Sequence, residues 1–306
     1  MQRPTSSTTV DGVLRGWLTH GSEHHNSATR WQAGEVERHI TEREQERVIG
    51  GELLDRVAGS GATGWGALLA APFVGSFLGV VVRRLPEGRP IAWVRSRCEC
   101  CGAALSAWDL VPFCSWLASG GRCRYCGHPL GWFYPAIEFS AFAVALAAIA
   151  ADSGEKIWLD CCFGWWLLAL GWIDVRRWLL PDSLTLPLII AGLAGAVAFD
   201  PEQLTDRALG AALGYLSLRA IAVLYRGLRN REGLGHGDAK LLAASGAWVG
   251  AMALPQVVLG AAVLALFTAA CLRLAGVRLG AGSALPFGPF LALTTWLIWV
   301  LGPFLI

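Results

Sequence analysis

Long uncharged apolar runs recur along the chain, and short charged segments separate them. The first run, residues 64–82, has no charged residue and is long enough to cross the roughly 30 Å hydrocarbon core of a bilayer as a helix. Seven further runs predict transmembrane helices at residues 132–151, 157–173, 183–199, 208–225, 241–254, 257–272 and 284–306. The pattern therefore predicts eight spans. The run 241–254 is the weakest, so seven spans and a re-entrant segment are the alternative.

The composition agrees with this pattern and narrows the class of protein. The 306 residues are 54% apolar and 16% charged, with a mean hydropathy of +0.47, whereas soluble domains carry about 25% charged residues. This excludes a disordered, fibrous or nucleic-acid-binding protein, so no nucleic acid partner is expected. We predict an all-α polytopic membrane protein with about eight transmembrane helices, embedded in a lipid bilayer.

Charge is concentrated before the first span. Residues 1–63 carry seven arginines and nine acidic residues, and they are too many and too polar for a cleaved signal peptide in the usual position. We expect them to form a poorly ordered polar extension. A charged amphipathic helix over residues 35–56, or a start codon placed too early, are the alternatives.

Arginine and lysine are distributed unevenly among the loops between the predicted spans. Residues 83–131 hold seven, 174–181 hold two, 226–240 hold four and 273–283 hold two, whereas the intervening loops hold one at most. Short loops rich in basic residues stay in the cytoplasm. An eight-span layout with these four loops inside satisfies the alternation and places both termini outside.

Four cysteines in the largest loop have the spacing of a metal site. Cys98 and Cys101 form one pair, Cys123 and Cys126 form another, and 21 residues separate the pairs. Four thiolates at this spacing close a tetrahedral zinc site that has no open position for a catalytic water. We therefore predict a cytoplasmic zinc-binding loop domain over residues 84–131, with a structural role for the metal. Four reduced thiols, or disulfides if the orientation is inverted, are the alternatives.

Few acidic residues lie within or beside the predicted spans, where a charge is costly and is a candidate for function. They are Glu138, Asp160, Asp174 and Asp238. Two crossings separate Asp174 from Asp238, so the topology returns both to the cytoplasmic face. Two carboxylates that share a proton can act as general base and general acid, which is the chemistry needed to add water to a peptide bond.

Asp238 follows a glycine-rich turn, residues 233–237, where the backbone can approach an extended substrate closely. The plainer interpretation is a loop before a helix, with Asp238 as its N-cap, and Asp182 has a similar pattern. These residues alone do not decide between a catalytic pair of Asp174 and Asp238 and N-caps at Asp238 and Asp182.

Several motifs occur in an order that resembles one family. They are GSFLGVVVRRLP at residues 75–86, the two cysteine pairs, YPAIE at 134–138, ID at 173–174, LPDSLTLP at 180–187, GHGDAK at 235–240 and PFGP at 286–289. Together they span roughly residues 65–305 and resemble the bacterial type IV prepilin peptidases, in the long form that has a cysteine loop. Gly79 and Leu110 depart from the pattern, since many members have asparagine at both positions.

The resemblance implies an activity and a site. Such enzymes remove the leader from type IV prepilins and type II secretion pseudopilins at the cytoplasmic face of the bacterial inner membrane, and then N-methylate the new amino terminus with S-adenosylmethionine. Position by position, the family's functional residues fall on Asp174 and Asp238 for catalysis and on Cys98, Cys101, Cys123 and Cys126 for zinc.

The resemblance also implies a division of the chain. A first helix at 64–83 would precede the zinc loop, and residues 132–306 would form the membrane aspartyl protease core. The resemblance associates the amino-terminal half of the chain with methyl transfer, and Glu138 is a candidate residue for that activity. The alternative for Glu138 is an acid that pairs with an arginine or is buried against another helix.

Two other classes of protein are compatible with the same residues. Asp174, Asp238 and Glu138 could line the path of a proton- or metal-coupled transporter. The cysteine loop could instead dock partners in a non-catalytic assembly factor.

Overall fold

The structure is a computed structural model, which describes residues 55–92, 94–229, 235–277 and 285–303. Residues 56–306 form one unit. Residues 1–54 of the extension lie outside the described residues, and these include most of the alternative helix at 35–56. The glycine at position 233 also lies outside them.

The described residues are mostly helical and include no β-strand beyond two isolated bridges. In chain order the helices are α1 (Gly61–Arg84), α2 (Cys114–Ala118), α3 (Phe133–Ala151), α4 (Lys156–Arg177), α5 (Asp182–Phe199), α6 (Leu204–Arg229), α7 (His236–Val249), α8 (Leu254–Leu274) and α9 (Gly288–Leu301). Short 3-10 helices lie at Leu85–Glu87, Ala107–Leu110 and Pro201–Gln203. The predicted all-α fold class is confirmed.

Six of these helices are long and apolar enough to cross a bilayer, namely α1, α3, α4, α5, α6 and α8. Helices α7 and α9 have 14 residues each, or about 21 Å, which is shorter than the hydrocarbon core. Gly250 and Gly302, with φ of 83° and 82°, follow their last residues. A hydropathy pattern does not show where a helix ends within an apolar run. The prediction of eight full spans is therefore not confirmed over the described residues.

Glycines let neighbouring helices approach backbone to backbone, as small residues do in membrane helix pairs. A Cβ at Gly246 of α7 would lie 2.2 Å from the backbone of Gly210 in α6. A Cβ at Gly75 of α1 would lie 2.6 Å from the Cα of Glu138 in α3. The close approach of α1 and α3 therefore fixes the position of Glu138 along their interface.

An aromatic cluster joins the helices that carry the site. The ring of Phe163 in α4 stacks on Trp248 in α7, with centroids 4.0 Å apart. Trp299 in α9 meets both rings edge to face, at 5.7 and 5.3 Å. Such contacts add to the free energy gained by burying the rings, so α4, α7 and α9 are held in one packed arrangement.

Candidate active site

Asp174 lies in the last turn of α4 and is 7% exposed. Its Oδ2 accepts a hydrogen bond from the backbone N–H of Gly288 at 3.0 Å. Gly288 is the first residue of α9, so the positive end of that helix dipole faces the carboxylate. A Cβ at position 288 would lie 2.6 Å from Oδ2. Only glycine therefore fits here without a shift of the carboxylate.

Asp238 lies in the first turn of α7 and is 9% exposed. The Cβ position of Gly235 lies 3.2 Å from Oδ2 of Asp238. The alternative in which Asp238 is the N-cap is wrong, because Gly235 caps the helix and α7 begins two residues before Asp238. The carboxylates of Asp238 and Asp174 are close enough for their charges to interact. The structure thus brings together the two aspartates that the sequence pairs.

The segment between α4 and α5 holds the start of α7 in place. Leu180 is buried against Gly237, where a Cβ would lie 2.8 Å from the Cβ of Leu180. Lys240 donates to Asp182 Oδ1 at 2.5 Å. Asp182 makes no capping bond, and Pro181 occupies the N-cap of α5. The predicted cap at Asp182 is therefore wrong, because the side chain forms an ion pair across two helices instead.

Asp174 lies at the same end of the helices as the cysteine loop. Arg177, the last residue of α4, pairs with Glu87 just after α1. The guanidinium of Arg176 lies 4.4 Å from the ring centroid of Phe133, the first residue of α3. These contacts tie the end of α4 to both ends of the loop.

The four predicted cysteines converge in the loop. The sulfurs of Cys98, Cys101, Cys123 and Cys126 all lie within 4.8 Å of one another. Two of them are buried and two are exposed. Cys100 and Cys114 lie in the same loop and are not members of this cluster.

Both cysteine pairs are built in the same way. The N–H of Gly102 donates to the carbonyl of Cys98, and the N–H of Gly127 donates to that of Cys123. Both glycines have a φ of 71°, a left-handed conformation that other residues adopt at a cost. Backbone N–H groups of Cys101 and Cys100 hold the pKa of the Cys98 thiol down to about 6. These N–H groups thus favour the thiolate of Cys98, which is the form that binds metal.

Glu138 is 5% exposed and lies between α3 and α1. Its Oε2 accepts a hydrogen bond from the backbone N–H of Phe113 in the loop at 2.9 Å, and Gly75 of α1 packs closely against its Cα. The structure therefore shows the burial against another helix that the sequence left open. Glu138 makes no ion pair with an arginine among the described residues.

A cavity of about 500 Å³ lies between the loop and α1 and α3. Ser76, Val80 and Glu138 line it from the helices, and seven arginines are among the residues that complete the wall. Of the two departures from the family pattern, Leu110 lies on the cavity wall. Gly79 instead faces the ring of Tyr134, with a Cβ position 3.2 Å from it.

Asp160 is fully buried and lies near the start of α4, away from Asp174 near its end. Its Oδ1 accepts a hydrogen bond from the indole N–H of Trp299 at 2.8 Å. The structure thus separates this acid from the aspartate pair. The role of Gly288 could not be predicted from the sequence, although the PFGP motif that contains it was the available signal.

Comparison with protein families matches two consecutive segments of the chain. Residues 69–151 match the family described as bacterial peptidase A24 N-terminal domain. Residues 161–270 match the type IV leader peptidase family. The first segment contains the cysteine cluster and Glu138, and the second contains both aspartates.

Several curated proteins carry the name prepilin leader peptidase/N-methyltransferase and are similar to this chain. The one from Burkholderia pseudomallei strain 1026b is 42% identical, with 74% of this chain and 81% of that protein covered. Those from Dickeya chrysanthemi and Pseudomonas aeruginosa are 40% and 34% identical, with 88% and 89% of those proteins and 74% and 76% of this chain covered. No solved structure matches the chain. Since these relatives are matched over most of their length and the leader peptidase segment spans both buried aspartates, the chain belongs to the type IV leader peptidase family.

Proposed function

We propose that this chain is a membrane aspartyl endopeptidase that removes the leader peptide from type IV prepilins or type II secretion pseudopilins. The observation that carries the proposal is the pair of buried, interacting carboxylates of Asp174 and Asp238 at one end of the helices. The printed names of the relatives support the substrate class.

Two carboxylates that share a low-dielectric site do not both ionise readily, so one stays protonated. The ionised member accepts a proton from a water molecule, and the resulting hydroxide oxygen attacks the scissile carbonyl carbon. The protonated member donates its proton to the departing amine as the C–N bond breaks. The N–H of Gly288 holds Asp174 in place throughout, so the carboxylate needs little reorganisation as charge shifts.

The proposed location is the cytoplasmic side of the bacterial inner membrane. The six long helices make the chain a multi-pass membrane protein. The aspartates lie at the end that carries the arginine-rich loop, and basic loops stay in the cytoplasm. The basic leader of a prepilin would therefore remain on the side where both carboxylates lie.

The cysteine cluster fits zinc by its donor set and its size. Four thiolates bound at about 2.3 Å in a tetrahedron are separated by about 3.8 Å, and the sulfurs of Cys98 and Cys126 lie 3.9 Å apart. Zinc bound by four sulfurs would stabilise the loop and supply no catalytic water. The aspartates, and not the metal, would therefore activate the water for hydrolysis.

The second proposed activity is N-methylation of the new amino terminus with S-adenosylmethionine. The relatives' printed names include N-methyltransferase. A cavity of about 500 Å³ beside the cysteine loop is the candidate binding site for this activity, and neither aspartate lines it.

The test uses the purified protein in lipid nanodiscs with a prepilin substrate and S-adenosylmethionine. Mass spectrometry of the product reports leader removal and methyl gain separately. We expect Asp174→Asn and Asp238→Asn to lower the rate of leader removal by about 10²- to 10⁴-fold. The matched control is Glu202→Gln, which should cleave normally. Glu202 is exposed and follows α5, at the opposite end of that helix from Asp182.

Near wild-type cleavage by either aspartate variant would refute the proposal. Substrate-independent proton or metal flux in proteoliposomes, without cleavage, would identify a transporter instead. Normal pilus assembly in cells that carry both aspartate variants would identify a non-catalytic assembly factor.

A further inference from the structure

The cavity beside the cysteine loop has two chemically different sides. On the side of α1 and α3, the lining residues include Ser76, Val80 and the buried Glu138, and Arg83, Arg84 and Tyr134 line it from the helix ends that adjoin the loop. On the loop side, the lining is rich in arginine. The buried acid therefore lies within the helix pair, and the arginines lie on the loop and at the end of α1 that adjoins it.

Three arginines of the loop side are available to a ligand. Arg95, Arg97 and Arg122 line the cavity and are exposed, and within the described residues their side chains make no hydrogen bond or ion pair. Other arginines of the wall are already engaged, as Arg83 is with Glu99 at 2.8 Å. Unpaired guanidinium groups in a cavity favour a ligand that carries a carboxylate or phosphate.

Glu138 is held by the loop as well as by the helices. Its hydrogen bond from the N–H of Phe113 fixes one oxygen. Phe113 has φ of 54° and ψ of −51°, a conformation that costs free energy and persists only where its surroundings impose it. The loop thus adopts an unfavourable backbone at the point where it contacts the only acid that lines the cavity from α1 or α3.

Aromatic rings complete the cavity wall. The indole N–H of Trp116 donates to the carbonyl of Gly131 at 3.0 Å, and its ring lies 4.6 Å from that of Trp132. The hydroxyl of Tyr134 accepts a hydrogen bond from Arg83 at 2.9 Å. Rings held in this way present fixed faces on which a purine base can stack.

We infer that this cavity binds S-adenosylmethionine through Arg97 and Arg122, and that Glu138 binds the newly exposed amine of the cleaved pilin. The inference rests on the proposed methyl transfer and assigns its residues. The guanidinium groups match the carboxylate of the donor, and the aromatic rings match its adenine. Glu138 is buried and is the acid that lines the cavity from α1 or α3, so it is the carboxylate on that side that can bind a cationic amine.

When the donor is bound, its methyl carbon bonds to the lone pair of the neutral amine, and the electrons of the broken C–S bond remain on sulfur. The amine must therefore lose a proton, and the Glu138 carboxylate is the group of the cavity wall placed to accept it from the membrane side. Binding of the donor by the arginines and binding of the amine by Glu138 are separable, which allows two independent tests.

Isothermal titration of S-adenosylmethionine into the purified protein in nanodiscs tests the first part. The double variant Arg97→Ala and Arg122→Ala should weaken the Kd at least tenfold and still remove leaders at the wild-type rate. The matched control is Arg56→Ala, which should bind the donor normally. Arg56 does not line the cavity and donates to the carbonyl of Ala150 at the carboxyl-terminal end of α3. Wild-type affinity in the double variant would overturn the site, as would competition by inorganic phosphate at a similar Kd.

Product mass tests the second part. Glu138→Gln should bind the donor within twofold of the wild-type Kd and remove leaders normally, yet lower methyl gain at least 100-fold. If Glu138→Gln also lost leader removal, Glu138→Asp would decide, because it keeps the charge and should restore both activities in part. Normal methylation by Glu138→Gln would overturn the role of Glu138. A wild-type protein that cleaves but neither binds the donor nor methylates would overturn the inference and leave the peptidase standing.

Discussion

Replacing Gly288 by alanine should impair leader removal while leaving the protein folded. The new Cβ would lie 2.6 Å from Oδ2 of Asp174 and 3.0 Å from its Cγ. Ordinary contact begins at 3.4 Å, so the carboxylate must retreat by about 0.8 Å, and its 3.0 Å bond from the Gly288 N–H would no longer form.

The size of the effect follows from this lost bond. A hydrogen bond to a charged group contributes about 1.5–3 kcal/mol, and each 1.4 kcal/mol corresponds to a factor of about ten in rate. We expect kcat to fall about 10- to 100-fold with a small change in KM, because the contact that is lost positions Asp174. Alanine is favoured over glycine in helices by about 1 kcal/mol, so the melting temperature should change little.

The assay measures kcat and KM for leader removal together with the melting temperature. Gly195→Ala in α5 is the matched control, since no atom lies within 4 Å of its added Cβ. A Gly288→Ala enzyme with at least half of the wild-type kcat would show that the contact with Asp174 does not matter for catalysis. An equal loss of kcat in Gly195→Ala would show that a glycine-to-alanine change in a helix impairs the enzyme whether or not it contacts Asp174.

Three further predictions concern the loop and the buried acid. Removing zinc with a chelator, or by Cys98→Ser, should abolish the metal content measured by atomic emission and lower the loop's melting temperature, because the cluster links two distant turns. Hydrogen bonds from the N–H and hydroxyl of Ser106 lower the pKa of Asp109 in the folded protein. The ionised carboxylate therefore stabilises the fold above its unfolded pKa of about 3.9, and this contribution is lost as the pH falls through the lower folded value. Asp109→Asn should therefore flatten the acid side of the loop's unfolding profile, followed by tryptophan fluorescence. Trp299→Phe removes the donor to Asp160 and should lower the free energy of unfolding by about 1–3 kcal/mol in denaturant titration, whereas an unchanged value would show that this bond adds nothing.

The membrane character of the protein could be predicted from the sequence because hydropathy and charge act locally. The run at 64–82 becomes α1, and the four cysteines converge as their spacing predicts. The pairing of Asp174 with Asp238 also follows from local information, since counting the crossings between them assigns both to one face. The number of full spans does not follow, because Gly250 ends α7 inside a run that hydropathy treats as continuous.

The sequence by itself determined which residues could carry chemistry and at which end of the helices they would lie. Only the tertiary structure decided how they are held. The contact of Gly288 with Asp174, the pair of Lys240 with Asp182 and the bond from Phe113 to Glu138 each join residues that are at least 25 positions apart. Such contacts depend on how closely whole helices and the loop approach one another, and packing between distant segments leaves no periodic signal in the chain.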